Sequence, residues 1–368
     1  MAVIGSILAW LFAIIFGFFT LSMLLLKNWI SAVLLFVVVL LCLPPVSQAV
    51  KNKFDFSIHP LLKIGLILGL LFLFSRTLIS SNITSIYSTP AAQSRFIEIY
   101  DEKMEEWPVE YEDLFLDTSY GIVHVIASGS EENTAMLLLH ASGVSSWSWK
   151  VNAEALSRNY RIYAIDLISD AGKSEFTSLD HIMKTGKDQA DLYAEIMDQL
   201  QLEKAFVVGA SEGGFIASHL AMHYPQKVEK LVLMAPMGYS GAAQAIIRIT
   251  LTQLFPLEFI QKSTFRWAFS DSEILEEEFK EWFPLIMTEI NSVKVAPLPL
   301  TPEERQQISV PVLFIFGEKD NLVGDPEKAQ KLVEDMQNVQ VEIIHAGHLM
   351  GGEMPDECNQ IILKYFAE

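Results

Sequence analysis

Cysteine is nearly absent: the 368 residues contain two, Cys42 within an apolar run and Cys358 near the C-terminus. Two residues so differently placed make no disulfide framework, and no metal-ligand spacing occurs; no cofactor is expected either. Charge is missing from the start of the chain. Residues 1–76 carry only Lys27, Lys51, Lys53, Lys63, Arg76 and Asp55. Basic residues are then scarce in the remainder, which holds 21 of the 26 Lys and Arg against 44 of the 45 Asp and Glu. So acidic a surface argues against nucleic acid or anionic lipid headgroups as partners of that part. A neutral or cationic small molecule is compatible with it.

What is abundant is apolar. Hydrophobic residues make up 51% of the chain and its mean hydropathy is +0.30. Residues 3–26 carry no charge and would form about 36 Å of helix. A second stretch, 29–49, has Trp29 at one boundary and Pro44-Pro45 near the other. A third, 60–75, contains Lys63, which can snorkel to an interface. A signal peptide is not expected, because no basic residue precedes residue 27 and further apolar runs follow. The pattern predicts a membrane anchor over 1–76 with three transmembrane helices, then a linker and lead-in over 77–109. Lys51, Lys53 and Lys63 favour a cytoplasmic second loop. The expectation is an integral, multi-pass membrane protein whose C-terminal domain lies outside the cytoplasm. A transporter is not expected, since the spans hold no acid and no paired charge.

From residue 110 onward the rhythm changes. Residues 111–116 and 122–127 read as a hairpin around 117–121. Six apolar runs follow: AMLLLH (135–140), YRIYAIDL (160–167), AFVVGA (205–210), KLVLMAP (230–236), VPVLFIFG (310–317) and VQVEIIH (339–345). They suit strands buried on both faces of a mainly parallel sheet. Helical patterns at 186–202, 327–338 and 355–368 alternate with them, which predicts a doubly wound α/β fold. Residues 239–300 break the alternation with a long stretch rich in Phe, Trp, Ile and Leu. This reads as a helical lid over the strand ends.

One short stretch carries chemistry. Gly209-Ala210-Ser211-Glu212-Gly213 fits G-x-S-x-G between a strand and a helix, the setting that exposes a serine at the apex of a tight turn. Small residues at Gly209 and Gly213 let strand and helix approach. A serine needs a base, and His348, in the loop after the last strand, is preferred to His345, which ends that strand. Among Glu318, Asp320 and Asp325, Asp320 is chosen to orient the histidine. Glu318 follows its strand too closely, and Asp325 before Pro326 reads as a helix cap. The backbone N–H of Glu212 and a second N–H from the loop 140–147 are the expected donors to an oxyanion. The Glu212 carboxylate is read as solvated or hydrogen-bonded, and Asp166, Ser169 and Asp170 are assigned no chemistry.

The segments LLLHASGVSSWSW, YAIDLISDAGKSE, VVGASEGGFIASHLAMHYPQKVEKLVLMAP, LFIFGEKDNLV and IIHAGHLM together resemble the α/β-hydrolase superfamily, in particular its carboxylesterase-like serine hydrolases with a helical lid. The resemblance covers the chain from about residue 110 to its end. It implies a mostly parallel eight-stranded sheet, a Ser211–Asp320–His348 triad, and Ser142 as the second oxyanion donor. His140-Ala141 stands where the family usually has His-Gly. The implied activity is cleavage of a carboxylic ester, apolar or lipid-like, through an acyl-enzyme. Thioester, amide or carbon–carbon bond hydrolysis, or a catalytically silent binding module, are the alternatives. Haloalkane dehalogenase and epoxide hydrolase are disfavoured, because those relatives place aspartate where Ser211 stands.

Overall fold

The computed structural model describes residues 2–25, 29–54, 59, 63, 66, 67, 69, 70, 85–239, 243–254, 256–269, 272–291 and 293–368. The chain divides into two units, Met1–Ile83 and Thr84–Glu368.

The first unit contains the helices Ala2–Leu25, Trp29–Cys42 and Pro44–Phe54. Ala13, Val38 and Cys42 form a small buried cluster, while Trp10, Phe12, Ile14 and Phe18 of the same unit are exposed. Here the structure corrects the expectation. The second predicted span, 29–49, is interrupted at Leu43 ahead of Pro44-Pro45. Proline removes an N–H and clashes with the preceding turn, so the run divides. Its apolar part is a helix of 14 residues, about 21 Å, against roughly 30 Å for a hydrocarbon core. Its remainder, with Lys51 and Lys53, belongs to the polar helix Pro44–Phe54. Within Ala2–Leu25, side chains are described over 9–21. The third predicted span, 60–75, falls mostly outside the described residues. Among the described residues no helix is long and apolar enough to cross a membrane. This overturns the reading of transmembrane helices, of a membrane anchor as partner, and of an integral multi-pass protein with its C-terminal domain outside the cytoplasm.

The second unit is built on a sheet. Its strands are β1 (Tyr111–Asp117), β2 (Gly121–Ser128), β3 (Ala135–Leu139), β4 (Arg161–Ile165), β5 (Glu175–Phe176), β6 (Ala205–Ala210), β7 (Val228–Met234), β8 (Val312–Gly317) and β9 (Val339–Ile344). The order is β1-β2-β4-β3-β6-β7-β8-β9, with β5 paired to β2. Eight strands match the apolar runs. The ninth, β5, is two residues long and too short to leave a periodic signal. The first hairpin and the β2 pairs are antiparallel; from β4 through β3 to β9 every pair is parallel. β3 and β8 are buried at every position, as continuous apolar runs require when helices cover both faces.

The lead-in carries a helix, Pro90–Met104, started by Thr89, whose side chain accepts the Ala92 N–H. Phe96, Ile99, Tyr100 and Met104 lie on one face and are buried. Between β7 and β8 stand the helices Ala243–Leu254, Glu258–Ala268, Glu273–Glu278, Trp282–Glu289 and Pro302–Gln306.

The chain order reverses at β3, which lies between β4 and β6. That is the topological switch point, where the loops after β3 and β6 open side by side at the carboxyl ends of the strands. Leu139 pairs with Gly209, so His140 and Ser211 emerge next to each other.

The helix that begins there, Glu212–His223, buries His219 against Phe215, with ring centroids 4.5 Å apart. Burial, and then the charge of His223, push the His219 pKa down to about 4 from an ordinary 6.5. The folded state thus holds His219 neutral where the unfolded chain takes up a proton. Its contribution to stability is present above about pH 6.5 and is lost as pH falls toward 4. Going from pH 7.5 to 4.5, His219→Phe is expected to lose about 2–4 °C less in melting temperature than the wild type. Equal losses in the two proteins would refute this.

Candidate active site

Ser211 sits at φ 50°, ψ −110°, a left-handed conformation that a residue with a Cβ adopts only under strain. The turn is locked on both sides. The Ser211 N–H donates to the Met234 carbonyl at 2.9 Å, and the Ser211 carbonyl accepts from Met237 and Phe215 at 3.0 and 3.1 Å. The flanking glycines are required by space. A Cβ at Gly209 would stand 2.4 Å from the Gly213 carbonyl oxygen, and one at Gly213 would stand 2.2 Å from that of Leu139. The Gly213 N–H donates to the His140 carbonyl at 3.1 Å, which joins this turn to the end of β3.

The Ser211 hydroxyl lies 2.8 Å from His348 Nε2, and His348 Nδ1 lies 2.8 Å from Asp320 Oδ2. All three residues are buried. Asp320 has its other oxygen, Oδ1, occupied by the N–H groups of Leu322 and Val323 at 2.8 and 2.9 Å. A carboxylate held at both oxygens cannot turn away from the imidazole. With Nδ1–H donating to Asp320, Nε2 is left as the acceptor for the Ser211 O–H.

The other candidates are elsewhere. His345 pairs with Glu318 at 2.6 Å, both on the surface, so the two alternatives satisfy each other away from Ser211. Asp325 caps the helix Pro326–Val333 through the Glu327 N–H. His140 accepts the Leu167 N–H at Nε2 and bonds the Ala141 carbonyl through Nδ1. Asp166 is fully buried and accepts from Ser145, Ser146, Lys173 and His124. Burial would raise its pKa, but His124, by hydrogen bond and charge, and Ser146 hold it well below the usual carboxylate range. No part of it faces Ser211 in these contacts, which fits a structural post beneath the loops.

Around Ser142 and Glu212 the structure adds what sequence reading missed. The Glu212 N–H is the first of its helix and has no intrahelical acceptor. Its carboxylate is buried and ion-paired to Lys294 at 2.8 Å, so it is not solvated. Asp170, assigned no chemistry from sequence, accepts from the Gly143 N–H at 2.7 Å and from Lys294 at 2.6 Å. Lys294 is 82 residues from Glu212 and 124 from Asp170, so no local pattern links them.

A mainly apolar cavity adjoins the site. Val144, Trp147, Met234, Leu275, Phe279 and His348 are among the residues that line it. Leu275 and Phe279 come from the helices inserted between β7 and β8. Among the described residues no group of His, Cys, Asp and Glu is arranged to hold a metal ion.

Residues 136–361 match the model of the Alpha/beta hydrolase family. Carboxylesterase YbfK of Bacillus subtilis (strain 168) is 30% identical over 285 residues, which cover 74% of this chain and 94% of that protein. The crystal structure of carboxylesterase CesB (YbfK) from Bacillus subtilis superposes with a TM-score of 0.69 at 28% identity, over 75% of this chain and 98% of that one. The crystal structure of naproxen esterase from Bacillus subtilis gives 0.70 at 25% identity, over 76% and 99%.

Proposed function

Because this chain belongs to the Alpha/beta hydrolase family and is a carboxylesterase-like hydrolase, we propose that it cleaves carboxylic esters through an acyl-enzyme on Ser211. The observation that carries this reading is the unbroken hydrogen-bond chain Ser211–His348–Asp320 beneath an apolar cavity. His348 Nε2 takes the hydroxyl proton as Ser211 Oγ attacks the ester carbonyl carbon. The negative charge moves onto the carbonyl oxygen, where the N–H groups of Ser142 and Glu212 receive it. The tetrahedral intermediate collapses as His348 returns the proton to the departing alkoxide, and the alcohol leaves. Water then attacks the acyl-enzyme, giving its proton to the same nitrogen, and the acid is released as Ser211 regains its hydrogen. Asp320 keeps Nδ1 protonated and stabilises the imidazolium at each step.

The catalytic domain runs over 110–368, and its insertion, about 239–300, acts as a lid. Leu275 and Phe279 from that insertion meet Trp147 and Val144 from the scaffold around the cavity, which supports an apolar acyl or alkyl group there. The test is covalent labelling with a fluorophosphonate, combined with a chain-length series of p-nitrophenyl esters. Labelling at Ser211 in stoichiometric yield, with turnover of the esters, is the expected result. A folded protein that neither labels nor turns over any of them would sink the proposal.

A further inference from the structure

Lys294 lies in the irregular segment after the helix Trp282–Glu289, within the insertion. Its Nζ donates to three acceptors: Ser142 Oγ and Asp170 Oδ2, each at 2.6 Å, and Glu212 Oε2 at 2.8 Å. The three come from three separate elements: the loop after β3, the loop after β4, and the first turn of the helix after Ser211. Burial alone would lower the ammonium's pKa, but Asp170 and Glu212 more than offset it and hold the group charged, above the usual lysine range.

The same contacts govern the loop that carries Ser142. Asp170 Oδ2 receives both Lys294 and the Gly143 N–H, while Lys294 itself holds the Ser142 hydroxyl. Trp282, from the same insertion, donates its indole N–H to the Gly143 carbonyl at 3.0 Å. Gly143 has φ +75°, so its peptide groups depend on such outside contacts for orientation. Charge leads to the same residue. Glu212 and Asp170 place two carboxylates at the cluster, both almost fully buried, and Glu212 Oε1 has no hydrogen-bond partner among the described residues. Without a cation, two buried negative charges would stand beside the N–H groups that receive an oxyanion, and they would oppose its development.

We propose that Lys294 is a positioning residue of the active site. It holds the Ser142–Gly143 loop in place and cancels the Glu212 carboxylate beside the oxyanion. The proposal rests on the reading of Ser211 as nucleophile with Ser142 and Glu212 as oxyanion donors, and it makes the insertion part of the catalytic geometry.

The experiment measures kcat and KM for p-nitrophenyl butyrate on wild type, Lys294→Met, Lys294→Met/Glu212→Gln and Ser211→Ala. Thermal melting and fluorophosphonate titration count the folded, reactive sites. Lys294→Met is expected to lower kcat per labelled site about 30- to 100-fold, with KM within about threefold of wild type, because transition-state stabilisation is what is removed. The double variant is expected to recover about tenfold of that loss, since it removes a charge left unpaired. A purely structural lysine predicts a loss of labelled sites at unchanged kcat per site and no recovery in the double variant; either result overturns the proposal. If Lys294→Met does not fold, Lys294→Gln keeps a donor without the charge. The same kcat loss is expected for it, and wild-type kcat would overturn the proposal. Activity remaining in Ser211→Ala would instead remove the nucleophile reading. An inert Ser211→Ala beside a Lys294→Met variant at wild-type rate would remove this inference alone.

Discussion

Ser211→Ala is expected to leave a folded protein whose kcat for an activated ester is about 10⁶-fold below wild type. Among the described residues the hydroxyl makes one hydrogen bond, to His348 Nε2 at 2.8 Å, and the other contacts that hold Ser211 in the turn are backbone. Alanine carries the same Cβ at φ 50°, so the strain of the turn is retained and the melting temperature moves little. What disappears is the only atom among the described residues placed both to attack a carbonyl and to hand a proton to His348. Residual hydrolysis reflects water attack on an ester still held near the oxyanion donors, which is why the loss has a floor. The measurement is kcat on purified variant alongside fluorophosphonate labelling. Turnover above about 1% of wild type, with labelling retained at another residue, would move the nucleophile elsewhere.

Asp320→Asn is expected to lower kcat about 10⁴-fold while leaving the fold intact. An amide oxygen at the Oδ1 position still accepts the N–H groups of Leu322 and Val323. Its NH₂ group then faces His348 Nδ1, where a carboxylate oxygen stood, and a donor meeting a donor forces Nδ1 to become the acceptor. The ring proton moves to Nε2, which can no longer take the proton from Ser211. Glu318→Gln serves as the control, because that carboxylate pairs with exposed His345 and has no contact with the serine. It is expected to retain wild-type rates. A loss of less than about tenfold in Asp320→Asn, or a larger one in Glu318→Gln, would reverse the choice of acid.

These two carboxylates differ in where the fold puts them. Both follow β8 within three residues and both neighbour a histidine in the finished fold. Strand-end geometry favoured Asp320; the fold buries it against His348 and leaves Glu318 on the surface beside His345. The eight longer strands were legible because burial on both faces demands continuous apolar runs. The two-residue β5 was not. In the first 76 residues composition alone was misleading. An apolar run has no length as a helix until its breaks are known, and Pro44-Pro45 ends the second one after 14 residues.

By itself, the sequence determined the layered α/β architecture and the strained serine turn, because both follow from local rules. Apolar periodicity selects the element, and glycine is needed wherever a Cβ would meet a carbonyl oxygen about 2 Å away. Only the tertiary structure decided how Glu212 is used. Its carboxylate, Asp170 and the Ser142 hydroxyl meet at one ammonium, Lys294, which lies 82 residues downstream of Glu212 on the insertion. The physical reason is that a charge buried near a reacting centre must find its counter-charge in space, and any element that folds over the site can supply it.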